Sequence, residues 1–146
     1  MTYVNASRIE FPGCSQKFLA ASAPKPASFK QFWHMVIQEK VSVIVMITKL
    51  VENNKRKAHQ YWPEGGGEEP MGPVLDLGEG TKVEYVSTSN QGTYIVRYVH
   101  RVQNANLKEI TLNRKFALFL PDGSLKHVVQ LSTEEWPDLT APKEPR

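Results

Sequence analysis

The sequence predicts one mixed domain of the α/β (α+β) class. Three features carry this: an amphipathic helical stretch at 28–37, a short apolar, β-branched run at 41–48 after it, and a second half patterned as strands and turns. At 146 residues the chain fits one domain and can bury a real core, about two-thirds of the surface its unfolded form exposes. No internal repeat and no separate linker divides it.

Taken in order, Tyr3–Ile9 and Lys17–Ala21 read as two short strands around a Pro12-Gly13 turn, and the Lys25-Pro26 step blocks further regular pairing. A helix follows. Ser28 can cap it with Gln31 at capping-box spacing, and Phe29, Phe32, Trp33, Val36 and Ile37 form one apolar stripe suited to packing on a sheet. Val41–Thr48 is the pattern of a strand covered on both faces, so the helix is expected to pack on it as a central strand. Glu64–Gly80 holds six glycines and two prolines and is expected to be an exposed loop. Two hairpins are then expected: Val83–Ser87 with Thr93–Val102, and Phe116–Leu120 with Leu125–Leu131 around Pro121-Asp122-Gly123.

Composition excludes several classes of function. The net charge is +3, from 18 basic and 15 acidic residues, with no basic run of five, which is an ordinary solvated surface and not a nucleic-acid footprint. The longest apolar run, Val43–Ile47, is far short of the roughly 20 residues of a membrane helix, so no membrane partner is expected. Met1 leads straight into Thr2, Tyr3 and Val4 without a secretory pattern, and the single cysteine, Cys14, suits a reducing compartment. The expected location is cytoplasmic. His34, His59, His100 and His127 are too scattered for a metal site, and Gly65-Gly66-Gly67 is followed by Glu68 and Glu69, the wrong charge for cradling a phosphate. No metal or cofactor is expected. Cys14, with Lys17 as its one basic neighbour, reads as a spectator thiol.

Several segments, in order, resemble the landmarks of the protein tyrosine phosphatase family. Tyr3-Val4-Asn5-Ala6-Ser7 matches Y-[IV]-N-A-[NS]. Lys17–Pro24 is similar to K-Y-I-A-T-Q-G-P, with Ala21, Ser22 and Ala23 in place of Thr, Gln and Gly. Phe32–Val36 is similar to F-W-x-M-[VI], Val43–Thr48 to V-I-V-M-L-T, and Lys57–Pro63 to K-C-x-Q-Y-W-P. Thr93–Arg97 matches Y-x-V-R, and Trp136-Pro137-Asp138 with Pro142 matches W-P-D-x-x-x-P. The resemblance runs from Tyr3 to Pro142, with a longer stretch than usual at Leu107–Ser132.

The resemblance implies a twisted mixed β-sheet with flanking helices, phosphotyrosine proteins as partners of the intact domain, and a defined chemistry. In the family a cysteine thiolate in an H-C-x-x-x-x-x-R loop attacks phosphorus while the loop's arginine and backbone N–H groups hold the dianion. The aspartate of the W-P-D loop then protonates the leaving phenol oxygen. Asp138 matches that general acid, with Trp136 as hinge anchor and Pro137 restricting its backbone, although Leu139-Thr140-Ala141 stand where most members have His-Gly-Val or similar. Glu52 and Lys57 match the loop glutamate and lysine that support the phosphate-binding arginine and the moving acid loop.

The nucleophile has no match. Six residues after Cys14 stands Ala20, not arginine, and no histidine precedes Cys14. The chain is therefore expected to be the central part of such a domain, residues 1–146 ending just after the W-P-D loop, and to be inactive by itself. The alternatives are a non-catalytic, pseudophosphatase-like protein-binding module, or a half-site completed by a partner chain. Self-association through an exposed sheet is expected of such a part.

Overall fold

The structure, a computed structural model, describes residues 4–64, 72–89 and 112–132. Strands β1 (Ala6–Ile9) and β2 (Phe18–Ala21) pair antiparallel, with Ile9 opposite Phe18. Their connection turns at Pro12-Gly13, where the Cys14 N–H donates to the Phe11 carbonyl at 3.1 Å. Gly13 takes a φ of 76° there, a conformation open to glycine without a Cβ penalty.

Pro26–Ser28 form a 3-10 turn leading into helix α1 (Phe29–Gln38). The expected capping box does not form: Ser28 sits at φ −116°, ψ 7° and makes no side-chain cap bond. The chain enters α1 through that turn, in which the Ser28 N–H donates to the Lys25 carbonyl, and Ser28 never takes the extended geometry of a capping residue. At the other end the N–H groups of Lys40 and Val41 donate to the carbonyls of Ile37 and Val36, with Lys40 at φ 54°, the double bond pattern of a Schellman stop.

A two-stranded hairpin and a five-stranded sheet complete the described fold. Strand β3 (Val43–Met46) is followed by the hairpin β4 (Val51–Glu52) and β5 (Lys55–Arg56), then by β6 (Val74–Gly78), β7 (Thr81–Ser89), β8 (Leu112–Phe119) and β9 (Leu125–Ser132). The five-stranded sheet has the order β3-β9-β8-β7-β6, with β3 and β9 parallel and the other neighbours antiparallel. This is a twisted mixed sheet with one helix packed on it, among the described residues. The β8–β9 hairpin expected around Pro121-Asp122-Gly123 is present, and β8 begins four residues earlier than the expected Phe116.

Helix α1 lies on one face of this sheet. Its Phe29, Phe32, Trp33 and Val36 are buried in one core with Met46, Val83, Phe116, Leu118 and Val128. Trp33 is fully buried, 5.5 Å from the Phe116 ring, and its indole N–H donates to the Tyr61 carbonyl at 2.8 Å, which ties the helix to the segment before Pro63.

Two further expectations are corrected. First, β3 is an edge strand among the described residues and is covered on one face only: Met46 is buried whereas Val43 and Val45 are about half exposed, at 50% and 49%. The helix sits over the side chains of alternate residues, and the intervening ones point to the opposite face. The strands flanked on both sides by others are β9, β8 and β7. Second, Val74–Gly78, inside the expected loop at 64–80, is a strand. Leu75 and Leu77 alternate inward while Gly78, Glu79 and Gly80 supply three successive positive φ angles for the tight turn into β7, so the glycines mark a turn. Val83, the first residue of the other expected hairpin, pairs with Leu75 on one side and Leu118 on the other. The second strand proposed for that hairpin, Thr93–Val102, lies outside the described residues.

Candidate active site

The parallel pair β3–β9 organises the sheet end that matters. Val43 is opposite Val129 and Met46 opposite Ser132, so both strands leave the sheet at the same end. After Met46 the chain enters the β4–β5 hairpin that carries Glu52, and in the sequence Ser132 is followed four to six positions on by Trp136-Pro137-Asp138. In sheets with parallel strands, ligand sites form outside the carboxyl ends of those strands, where the loops diverge.

The hairpin is built for a fixed shape. Glu52 opposes Lys55 and Val51 opposes Arg56, and the two turn residues Asn53 and Asn54 take φ of 52° and 61°. Two consecutive positive φ values are those of a type I′ turn, which asparagine tolerates better than other side chains with a Cβ and whose twist matches the strands. The Lys57 N–H extends the pairing by donating to the Leu50 carbonyl at 2.8 Å. Glu52 is half-buried and Lys57 exposed. The sequence-expected Trp136, Pro137 and Asp138 lie outside the described residues, as does Thr93–Arg97.

Further along the chain, a polar network that sequence reasoning missed fixes the segment Tyr61–Glu64 against the sheet. Arg114, in β8, donates from Nε to Glu64 Oε2 at 3.0 Å and from Nη1 to Gln130 Oε1 at 3.1 Å, and its guanidinium lies 4.7 Å from the Trp62 ring centre. Trp62 Nε1 also donates to Glu64 Oε2 at 3.0 Å, and Thr88 Oγ1 to Glu64 Oε1 at 3.1 Å. Gln130, fully buried in β9, donates from Nε2 to the Tyr61 hydroxyl at 2.9 Å. The carboxylate and amide oxygens of this cluster therefore have donors, as buried polar groups require.

Electrostatics follow the geometry. Burial pushes the Glu64 carboxyl up, but the Trp62 indole, the Arg114 charge and hydrogen bond, and the Thr88 hydroxyl together hold it below the ordinary carboxylate value. Burial raises the Tyr61 phenol to about 12, against smaller opposing effects of Gln130 and Arg114. Tyr61 is therefore a neutral structural phenol at any physiological pH. The sequence did hold a signal for Arg114: it falls on the alternation Arg114, Phe116, Leu118, and an arginine on an inward-facing stripe demands a carboxylate partner.

Among the described residues no cluster of three or more histidine, cysteine, aspartate or glutamate side chains is arranged to hold a metal, and no helix is long and apolar enough to cross a membrane. Cys14 is exposed in the β1–β2 connection.

Comparison with known proteins gives consistent matches. The family model for protein-tyrosine phosphatase matches residues 1–146. Human receptor-type tyrosine-protein phosphatase zeta is 30% identical over 141 residues, covering 97% of this chain and 5% of the human protein. Tyrosine-protein phosphatase 3 of Dictyostelium discoideum is 32% identical over 142 residues, 96% of this chain and 12% of that protein. The crystal structure of the Trypanosoma brucei protein tyrosine phosphatase TbPTP1 matches with a TM-score of 0.71 at 25% identity, over 99% of this chain and 45% of that one. The chain thus spans a small part of the length of these curated relatives and less than half of the solved one.

Proposed function

The chain belongs to the protein-tyrosine phosphatase family, and from that premise we propose that residues 1–146 are the central part of a domain that hydrolyses phosphotyrosine in proteins. In this reading Asp138 is the general acid, Trp136 and Pro137 hold its loop, and Glu52 and Lys57 support the site from the β4–β5 hairpin. The nucleophile and the phosphate-binding arginine belong to an H-C-x-x-x-x-x-R sequence that these 146 residues do not contain. The hydrolysis then runs in two steps. A thiolate takes the phosphoryl group as Asp138 gives its proton to the departing tyrosine oxygen, and water then releases phosphate as the same carboxylate accepts a proton.

The observation that carries this reading is the parallel pairing of Met46 with Ser132. It supports a common site for Glu52, Lys57 and Asp138, because the strands that precede them in sequence, β3 and β9, end side by side. A cytoplasmic location accords with the unpaired, exposed Cys14. The test is Asp138→Ala in a protein joining this stretch to an H-C-x-x-x-x-x-R segment. Turnover of a phosphotyrosine peptide should fall by roughly two to four orders of magnitude, and less for a leaving group that needs no proton. An active protein whose rate stays within a few-fold would move the acid elsewhere. A joined, folded protein with no turnover would favour the binding-module reading.

A further inference from the structure

One row of residues crosses the sheet near the end where β3 and β9 stop. Ile44, Gln130, Arg114 and Thr88 stand opposite one another in β3, β9, β8 and β7. Gln130 is 0% exposed, and the next pair along the same face, Val128 with Phe116, is apolar core. Its amide reaches three segments other than its own strand. Oε1 accepts from Arg114 Nη1 at 3.1 Å, and Nε2 donates to the Tyr61 hydroxyl at 2.9 Å and lies 3.7 Å from Met46 Sδ. Arginine only donates, so the Arg114 bond fixes which way the amide points. Arg114 is held in turn by Glu64, which also accepts from Thr88, so the row is bonded from β9 to β7. An apolar side chain of similar size would fill the space and ask for no partner, so what the amide adds is alignment.

We propose that Gln130 is a positioning residue for the general acid: it locks the register of β9, so that the chain leading to Asp138 starts from one fixed place. The inference rests on the phosphotyrosine reading above and adds a residue that acts through another. Slipping β9 by one residue moves its end by about 3.3 Å and turns each side chain to the other face. Val129 or Leu131 then stands where the amide was, and Arg114 Nη1 and the Tyr61 hydroxyl lose the bonds that Gln130 gives them. Only one alignment satisfies the buried amide and both partners, which is how a single buried polar group sets register. Ser132, the last residue of β9, comes two positions after Gln130, and Asp138 six positions after Ser132. A displacement of about 1 Å at a reacting group can cost roughly a hundredfold in rate, so the origin of that short connection matters to the proton transfer.

The experiment has two readouts. In the 146-residue chain, Gln130→Leu should speed amide hydrogen exchange in β9 by at least about tenfold more than in α1. Uniform acceleration, or none, overturns the proposal. In the protein joined to an H-C-x-x-x-x-x-R segment, Gln130→Leu should lower kcat for a phosphotyrosine peptide roughly tenfold with KM within about twofold, while a substrate whose leaving group needs no proton loses no more than about twofold. Gln130→Glu keeps an acceptor for Arg114 and for the Tyr61 hydroxyl and should bring kcat back to within about threefold of wild type. Should Gln130→Leu not fold, Tyr61→Phe removes one of the same bonds from the other side, with a loss of about threefold expected on the phosphotyrosine peptide alone. Equal losses on both substrates, or no loss on either, overturn the positioning role. If Asp138→Ala keeps its rate, the active-site reading falls and this role falls with it. If Asp138→Ala loses its rate and Gln130→Leu does not, the positioning role fails alone.

Discussion

Arg114 Nε and Glu64 Oε2 lie 3.0 Å apart across the sheet's inner face, where the guanidinium also covers the Trp62 ring. This pair fastens the Tyr61-Trp62-Pro63 segment to β8, fifty positions away in sequence. The arginine side chain is 12% exposed and the glutamate 25%, so the contact is shielded enough from solvent to matter.

Replacing Arg114 by Met should destabilise the fold by about 1–3 kcal/mol, because Glu64 loses charge-assisted bonds while remaining partly buried. Urea unfolding at neutral pH measures this as a lower midpoint, and a midpoint equal to wild type would show the pair to be energetically idle.

Acid should act through the same glutamate. Its folded value lies below the ordinary 4.5, so the stability it contributes is fully present above that pH and is lost as pH falls through the folded value. Glu64→Gln should flatten the part of the stability profile below about pH 4.5 that this group supplies, read by denaturant midpoints at stepped pH.

Alkali should act through Tyr61. Its phenol ionises near 10.0 when unfolded and at about 12 when folded, so its contribution is present below pH 10 and is lost as pH rises through the folded value. The loss should be on the order of 2–3 kcal/mol, and Tyr61→Phe should lack this alkaline component while being less stable at neutral pH for want of the Gln130 bond. An unchanged alkaline profile in the variant would assign the loss to other groups.

The outer face of β3 should make the chain self-associate. Val43 and Val45 are exposed on a strand that pairs on one side only among the described residues, and Ile47, the residue after it, is exposed as well. Size-exclusion chromatography should show concentration-dependent association that Val43→Lys with Val45→Lys reduces, and a monodisperse wild-type monomer with a steep cooperative melt would contradict it.

The isolated chain should show no vanadate-sensitive hydrolysis of a phosphotyrosine peptide, since its single cysteine has no arginine six residues on. Turnover abolished by Cys14→Ser would refute this.

Much of this protein was legible in its residues. The helix at Phe29–Gln38 followed from a stripe of large apolar side chains at helical spacing, and the β8–β9 hairpin from alternating strands around a Pro-Asp-Gly turn. Such patterns are local, since neighbours along the chain decide them. The family landmarks were legible for a related reason, because they are short ordered strings.

Tertiary structure decided what local pattern cannot hold. Val41–Thr48 has the composition of a strand buried on both faces, yet whether a second layer covers it depends on what packs there, and the outer face of β3 is open. Glu64–Gly80 looked like loop by its glycines, but β7 offered an edge and Leu75 and Leu77 fitted the core, so hydrogen bonds to a partner strand outweighed weak local propensity. The parallel pairing of Met46 with Ser132 and the bond between Glu64 and Arg114 join residues that no window of sequence contains. The sequence by itself determined the family, the helix and the last hairpin. Which strand is the edge, which loops share an end of the sheet, and which charge meets which were decided only when distant segments buried their apolar faces together, because burial makes unpaired strand edges and unpaired charges costly wherever they meet.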